Sequence, residues 1–76
     1  MPKQPVASAR QVVAALERAG YERSRQAGSH VILIHREQKR AVVVPVHGSR
    51  DLPPGTLHRI LKQAGMTVDE FRQLIK

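Results

Sequence analysis

The sequence predicts a two-layer α+β domain in which helices pack on one face of a three-stranded antiparallel sheet. Three observations carry this. Val12, Val13, Leu16 and Ala19 recur at helical spacing; Val31-Ile32-Leu33-Ile34 and Ala41-Val42-Val43-Val44 are rich in β-branched residues; and Leu57, Ile60, Leu61 and Ala64 form a second helical stripe behind a Pro-Pro pair.

The first helix is expected over residues 9–19. Ser8 is its N-cap, and Gln11 three residues on completes a capping box that satisfies otherwise orphan backbone donors. Gly20 stops it. Residues 21–26 have the length and bracketing of a strand despite their charges, and residues 29–35 form a stronger one. Glu37-Gln38-Lys39-Arg40 is a polar hairpin connection, after which Ala41 to Val44 supplies the third strand. Pro45 closes that strand or lies on an edge. The links between strands are short and polar, which favours antiparallel order over crossover connections. Residues 47–51 are expected as a loop.

Pro53 and Pro54 suit the opening turn of a helix, where a missing amide proton costs little, and Gly65 stops that helix. Thr67 and Glu70 make a second capping box. With Met66 and Phe71 placed as a hydrophobic staple, a short C-terminal helix carries Phe71, Leu74 and Ile75. The predicted order is therefore helix, three strands, helix, helix.

At 76 residues there is room for one domain. A fold of this size buries only roughly 60% of the surface its unfolded chain exposes, so a modest core and marginal stability are expected. Cysteine is absent, which removes disulfides and thiolate metal sites and places no demand for an oxidising compartment. A cytoplasmic location fits. The run Val31 to Ile34 is far too short to cross a bilayer, and residues 1–5 lack the apolar segment of a signal peptide, so no membrane partner is expected.

Thirteen Lys and Arg against six Asp and Glu give a formal charge of +7. Such a field attracts RNA, DNA, an anionic membrane surface or an acidic protein, and nucleic-acid affinity of this kind is largely salt-dependent phosphate contact. The surplus is a large fraction of a short chain and no amphipathic basic helix stands out, which ranks nucleic acid above mere solubility. Charge alone does not choose RNA over DNA.

Gly28-Ser29-His30 sets an imidazole at the mouth of an apolar strand. Histidine exchanges protons near neutral pH, so His30 suits the acid-base work of phosphodiester cleavage. Gly28 permits a tight turn, and Ser29 is placed to fix the local backbone or touch a phosphate. RNA carries its own nucleophile in the 2′-hydroxyl. Its cleavage without a metal needs a base for that hydroxyl, an acid for the leaving oxygen and cations for the phosphorane charge. A metal site is disfavoured, because the six acidic residues do not cluster at His30 and the histidines follow no tight ligand spacing. No cofactor is implied, since phosphate-binding loop, nucleophilic cysteine and dinucleotide fingerprint are all missing.

The Gly28-Ser29-His30 motif occurs with Val44-Pro45-Val46-His47-Gly48, with Asp51-Leu52-Pro53-Pro54-Gly55-Thr56-Leu57 and with Ile60-Leu61-Lys62-Gln63-Ala64-Gly65. In combination, from about Gly20 to Gly65, these closely resemble the HicA family of toxin endoribonucleases. The resemblance implies a double-stranded-RNA-binding-domain-like fold and a single domain over 1–76, with its core at about 8–65 and its last helix at about 68–76. It implies an mRNA interferase with His30 as the catalytic histidine, and a HicB-type antitoxin as the protein that neutralises it. The Val-Pro-x-His-Gly segment is similar to the family's pattern and makes His47 the candidate second proton carrier, a role that stands level with that of a solvated loop histidine. Arg25 belongs to the Arg-Gln-x-Gly-Ser-His block and leads the candidate substrate-binding residues, which also include Gly28, Ser29, Lys39 and Arg40. Arg23 and Arg50 flank the same region.

Strand alternation separates His35 from His30, and His58 falls beside its helix's apolar stripe. Some family members carry an aromatic where this chain has Leu33. If that ring stacks on a base, RNA contact here rests on charge and Tyr21, for Tyr21 and Phe71 are the only aromatic residues. Two other functions remain open from sequence: a non-catalytic double-stranded-RNA-binding module, and an adaptor whose basic face binds an acidic protein.

Overall fold

The computed structural model describes residues 5–46, 48 and 50–75. The chain runs α1 (Ala9–Arg18), β1 (Glu22–Ala27), β2 (His30–His35), β3 (Arg40–Pro45), α2 (Pro54–Ala64) and α3 (Val68–Leu74), the α+β order expected.

Local chemistry sets the helix ends. At α1 the Ser8 hydroxyl accepts from the Gln11 amide at 3.2 Å, while the Gln11 side chain accepts from the Ser8 amide at 2.8 Å. At its exit Gly20 takes φ +103, a value costly for any residue with a Cβ. This turn lets the Tyr21 amide donate to the Leu16 carbonyl at 2.9 Å and the Gly20 amide to Glu17 at 3.1 Å, a Schellman arrangement that seats Tyr21 against Leu16. Helix α2 starts at Pro54 without a side-chain cap, and α3 has the reciprocal Thr67–Glu70 pair at 3.1 Å in both directions.

The sheet is antiparallel in the order β1-β2-β3. Val31, Leu33, Val42 and Val44 point to one face, where they are buried with Val12, Leu16, Leu57, Ile60 and Phe71. All helices lie on that face. The alternate residues Ile32, Ile34 and Val43 are half-buried on the other, which leaves a two-layer molecule with one open sheet face.

Three details differ from expectation. Ser29 belongs to a turn, so β2 begins at His30, and the second hairpin loop is 36–39, with Arg40 opening β3. Pro45, by contrast, closes β3 as its last residue and lies on an edge strand, as expected. Ala9 and Ala15 are as buried as the expected stripe of α1, whereas Ala19 is half-buried. Asp51, expected in a loop, forms an isolated antiparallel bridge with Ser8, beside a 2.8 Å bond from the Leu52 amide to the Ala7 carbonyl. These join residues more than forty apart in sequence, a separation that local patterning does not report.

Candidate functional site

The site is built on the first hairpin. Ala27 and His30 are paired across β1 and β2, which leaves Gly28 and Ser29 as a two-residue turn. Gly28 has φ +59 and Ser29 does not have positive φ, the pattern of a II′ turn. A Cβ on Gly28 would meet nothing within 4 Å, so backbone conformation alone makes glycine the fitting residue. Two further bonds fix the turn. The Gln26 side-chain amide donates to the Gly28 carbonyl at 3.0 Å, and the Val46 amide donates to the Ser29 carbonyl at 2.6 Å, extending the sheet past β3.

His30 therefore leaves the turn with its backbone held on both sides, by Ala27 on β1 and Pro45 on β3. Its side chain is exposed, on the open sheet face with Ile32 and Ile34. An imidazole so placed is reachable by a polymer too large to enter a pocket.

Arg25 shares that face because of a β-bulge. Arg23 pairs with Leu33 and Arg25 with Ile32, so Ser24 is the extra residue, and the inserted position turns the alternation over. Arg25 thus stands opposite Ile32, about 7 Å along β2 from His30. Arg23 falls on the helix face, where it pairs with Glu17 of α1 at 3.5 Å.

Lys39 and Arg40 are not gathered with His30. Arg40 is paired with His35, at the opposite end of β2, about 17 Å from the His30 row. Its guanidinium donates to the Gln63 carbonyl at 3.3 Å and lies where a Cβ on Gly65 would fall, tying β3 to the end of α2. Lys39 ends the adjoining loop with φ +52. His47 lies outside the described residues; Val46, which precedes it, is bonded to Ser29. Arg50 and His58 are exposed, on the segment before α2 and on α2 itself.

Neither aromatic contact suggested by sequence is available to RNA. Leu33 is fully buried on the helix face, so a ring at that position would enter the core. Tyr21 is buried too, and its hydroxyl donates to the Ala64 carbonyl at 3.2 Å. Burial pushes the Tyr21 hydroxyl above its ordinary pKa, against a smaller opposing pull from Arg40. His35 is on the helix face as alternation requires. It meets Tyr21 edge-on at 5.1 Å and accepts from the Gln38 amide at 3.2 Å, so its role is architectural.

Sequence reasoning missed Gln26 as a support of the turn. The available signal was its position two residues before the hairpin glycine, within reach of that glycine's carbonyl. Among the described residues no group of three or more His, Asp or Glu side chains is gathered as for a metal ion, and no helix is long and apolar enough to cross a membrane.

No curated protein gives a significant match to the chain. A family model described as the HicA toxin of bacterial toxin-antitoxin systems matches residues 9–66, from the first residue of α1 to the residue after Gly65. That span holds the whole sheet, the Gly28-Ser29-His30 turn and α2. The chain belongs to the HicA family of toxins of bacterial toxin-antitoxin systems.

Proposed function

We propose that this toxin is a metal-independent endoribonuclease that cleaves messenger RNA, with His30 as general acid or base, and that a HicB-type antitoxin neutralises it by covering the His30 end of the sheet. The observation that carries this is an exposed imidazole on a backbone fixed from both sides, on a face open to a polymer. Arg25 on the same face supplies a cation for the phosphate, Gly28 shapes the turn, and the Ser29 hydroxyl contacts the substrate. Lys39 and Arg40 serve the far end of the sheet instead. The formal charge of +7 draws RNA to the domain.

In the proposed reaction the 2′-oxygen forms a bond to phosphorus as the P–O5′ bond breaks. The 2′-hydroxyl proton goes to the base, and a proton from the acid goes to the departing 5′-oxygen. The products are a 2′,3′-cyclic phosphate and a 5′-hydroxyl end. His30 holds one of the two proton-transfer roles and His47 the other. The toxin acts in the cytoplasm as a single domain, with a fold akin to double-stranded-RNA-binding domains.

The test is cleavage of a labelled messenger RNA by the native chain and by folded His30→Ala, each with and without a chelator. Cleavage that survives the chelator and vanishes in the variant supports the proposal. RNA binding without cleavage by the native chain makes the domain a non-catalytic binding module, and an active variant moves catalysis to another residue.

A further inference from the structure

At the His30 end of the molecule, but on the helix face, an open cleft of about 410 Å³ runs between the first turns of α1 and β1. Val13, Val31 and Val46 form its floor, and Arg10, Arg23 and Gln26 its rim. Among the described residues no carboxylate lines it. Arg10 is exposed and, among the described residues, its guanidinium has no ion pair; Arg23 has one partner, Glu17, in an exposed pair weak enough for a phosphate to compete. One end of the cleft is continuous with the catalytic turn. Gln26 bonds the Gly28 carbonyl, Val46 bonds the Ser29 carbonyl, and Val31 follows His30 directly.

We infer that this cleft binds the phosphate backbone of the RNA strand next to the scissile bond, with Arg10 and Arg23 as phosphate ligands, an inference that rests on RNA being the substrate. The cleft and His30 lie on opposite faces at the same end of the sheet, so the strand wraps around the Gly28-Ser29 turn to reach the imidazole. The turn suits that path: it has no Cβ at Gly28, and the space a Cβ there would take is empty to 4 Å. Two rim guanidiniums spread over α1 and β1 match a chain of successive phosphates better than a single small anion. The β1 bulge is what makes both surfaces from one short strand, since it sends Arg23 to the cleft and Arg25 to the catalytic face.

The experiment is binding of a labelled, fully 2′-O-methylated RNA, which lacks the nucleophile and stays intact, by the native chain and by Arg10→Ala, Arg23→Ala and Arg36→Ala. Arg36 lies past the opposite end of β2, exposed, so its removal lowers net charge equally without touching the cleft. Arg10→Ala and Arg23→Ala should each weaken binding roughly fivefold, and each should flatten the slope of log affinity against log salt by about 0.7, one phosphate contact on a single strand. Arg36→Ala should leave that slope unchanged, and Arg10→Lys should recover most of the affinity.

Equal losses in all three variants, or none in the cleft variants, would overturn the inference. Cleavage of unmodified RNA by the native chain, measured in parallel, separates the two ideas. A nuclease whose binding ignores Arg10 loses the cleft and keeps its function, whereas an inactive chain whose binding needs Arg10 keeps the cleft and loses the catalytic role.

Discussion

Gln26 reaches two residues along the chain to donate its side-chain amide to the Gly28 carbonyl at 3.0 Å, so the strand that enters the hairpin also holds the turn that delivers His30. A single exposed hydrogen bond of this kind contributes about 1 kcal/mol. Gln26→Ala and Gln26→Glu both remove the donor, and both should lower kcat for RNA cleavage roughly fivefold while the midpoint of thermal unfolding moves by only a few degrees. Because Gln26 also rims the Arg10 cleft, the comparison that matters is kcat against KM. A loss confined to KM would assign the side chain to substrate binding and not to the turn.

Gly28→Ala tests the turn itself. The new methyl group meets nothing, so its whole effect is the cost of placing alanine at φ +59 in this turn, about 1–3 kcal/mol. In a domain of this size that lowers the unfolding midpoint by about 4–8 °C per kcal/mol. Gly28→Asn should lose less than alanine, because asparagine, after glycine, is among the residues that take the positive-φ positions of primed turns. Equal losses for the two would mean that the asparagine side chain does nothing to offset the backbone cost.

Much of the fold was legible because its determinants are local. Ser8 with Gln11 and Thr67 with Glu70 are capping boxes in the sequence and in the structure, and Gly20 and Gly65 end their helices as expected. His30 and His35 are on opposite faces because β2 pairs with β3 without interruption. What stayed hidden depends on which strand residue faces which. Arg23 and Arg25, two apart, should share a face by alternation, and only the bulge at Ser24 separates them. Arg40 follows a hairpin loop in sequence, as does His30, but the two loops are at opposite ends of the sheet. Tyr21 reads as an exposed aromatic among charges until the Schellman turn folds it under α1.

The last helix lies beyond the family match, which ends at residue 66, yet it supplies the largest fully buried side chain, Phe71. Removing that ring costs about 3–5 kcal/mol, against a total stability of about 4–11 kcal/mol for a chain of this length. Phe71→Ala should therefore unfold a large fraction of the protein at 37 °C, seen as loss of far-ultraviolet circular dichroism, whereas Phe71→Leu should remain folded and active. A stable Phe71→Ala protein would show that α3 is an accessory and that the core closes without it.

Tyr21 gives the fold a definite response to alkali. Its hydroxyl titrates above the ordinary value of 10.0 because burial disfavours the phenolate, with Arg40 offsetting part of that effect. The folded state thus holds the proton more tightly than the unfolded chain, whose tyrosine releases it near the ordinary value. Tyr21 contributes fully below pH 10, and its contribution drains away as the pH climbs from there through the raised folded value. Tyr21→Phe removes this dependence. It also removes the donor to the Ala64 carbonyl, so the variant should be about 1 kcal/mol less stable than native protein at pH 7. The gap should narrow as the pH passes 10, because the native chain alone loses stability through this group. Urea unfolding of both proteins at pH 7, 9 and 10.5 measures it. A gap that stays constant over that range would mean the phenolate is tolerated in place, next to the Arg40 guanidinium, and that Tyr21 is held more loosely than its burial and its bond to the Ala64 carbonyl imply.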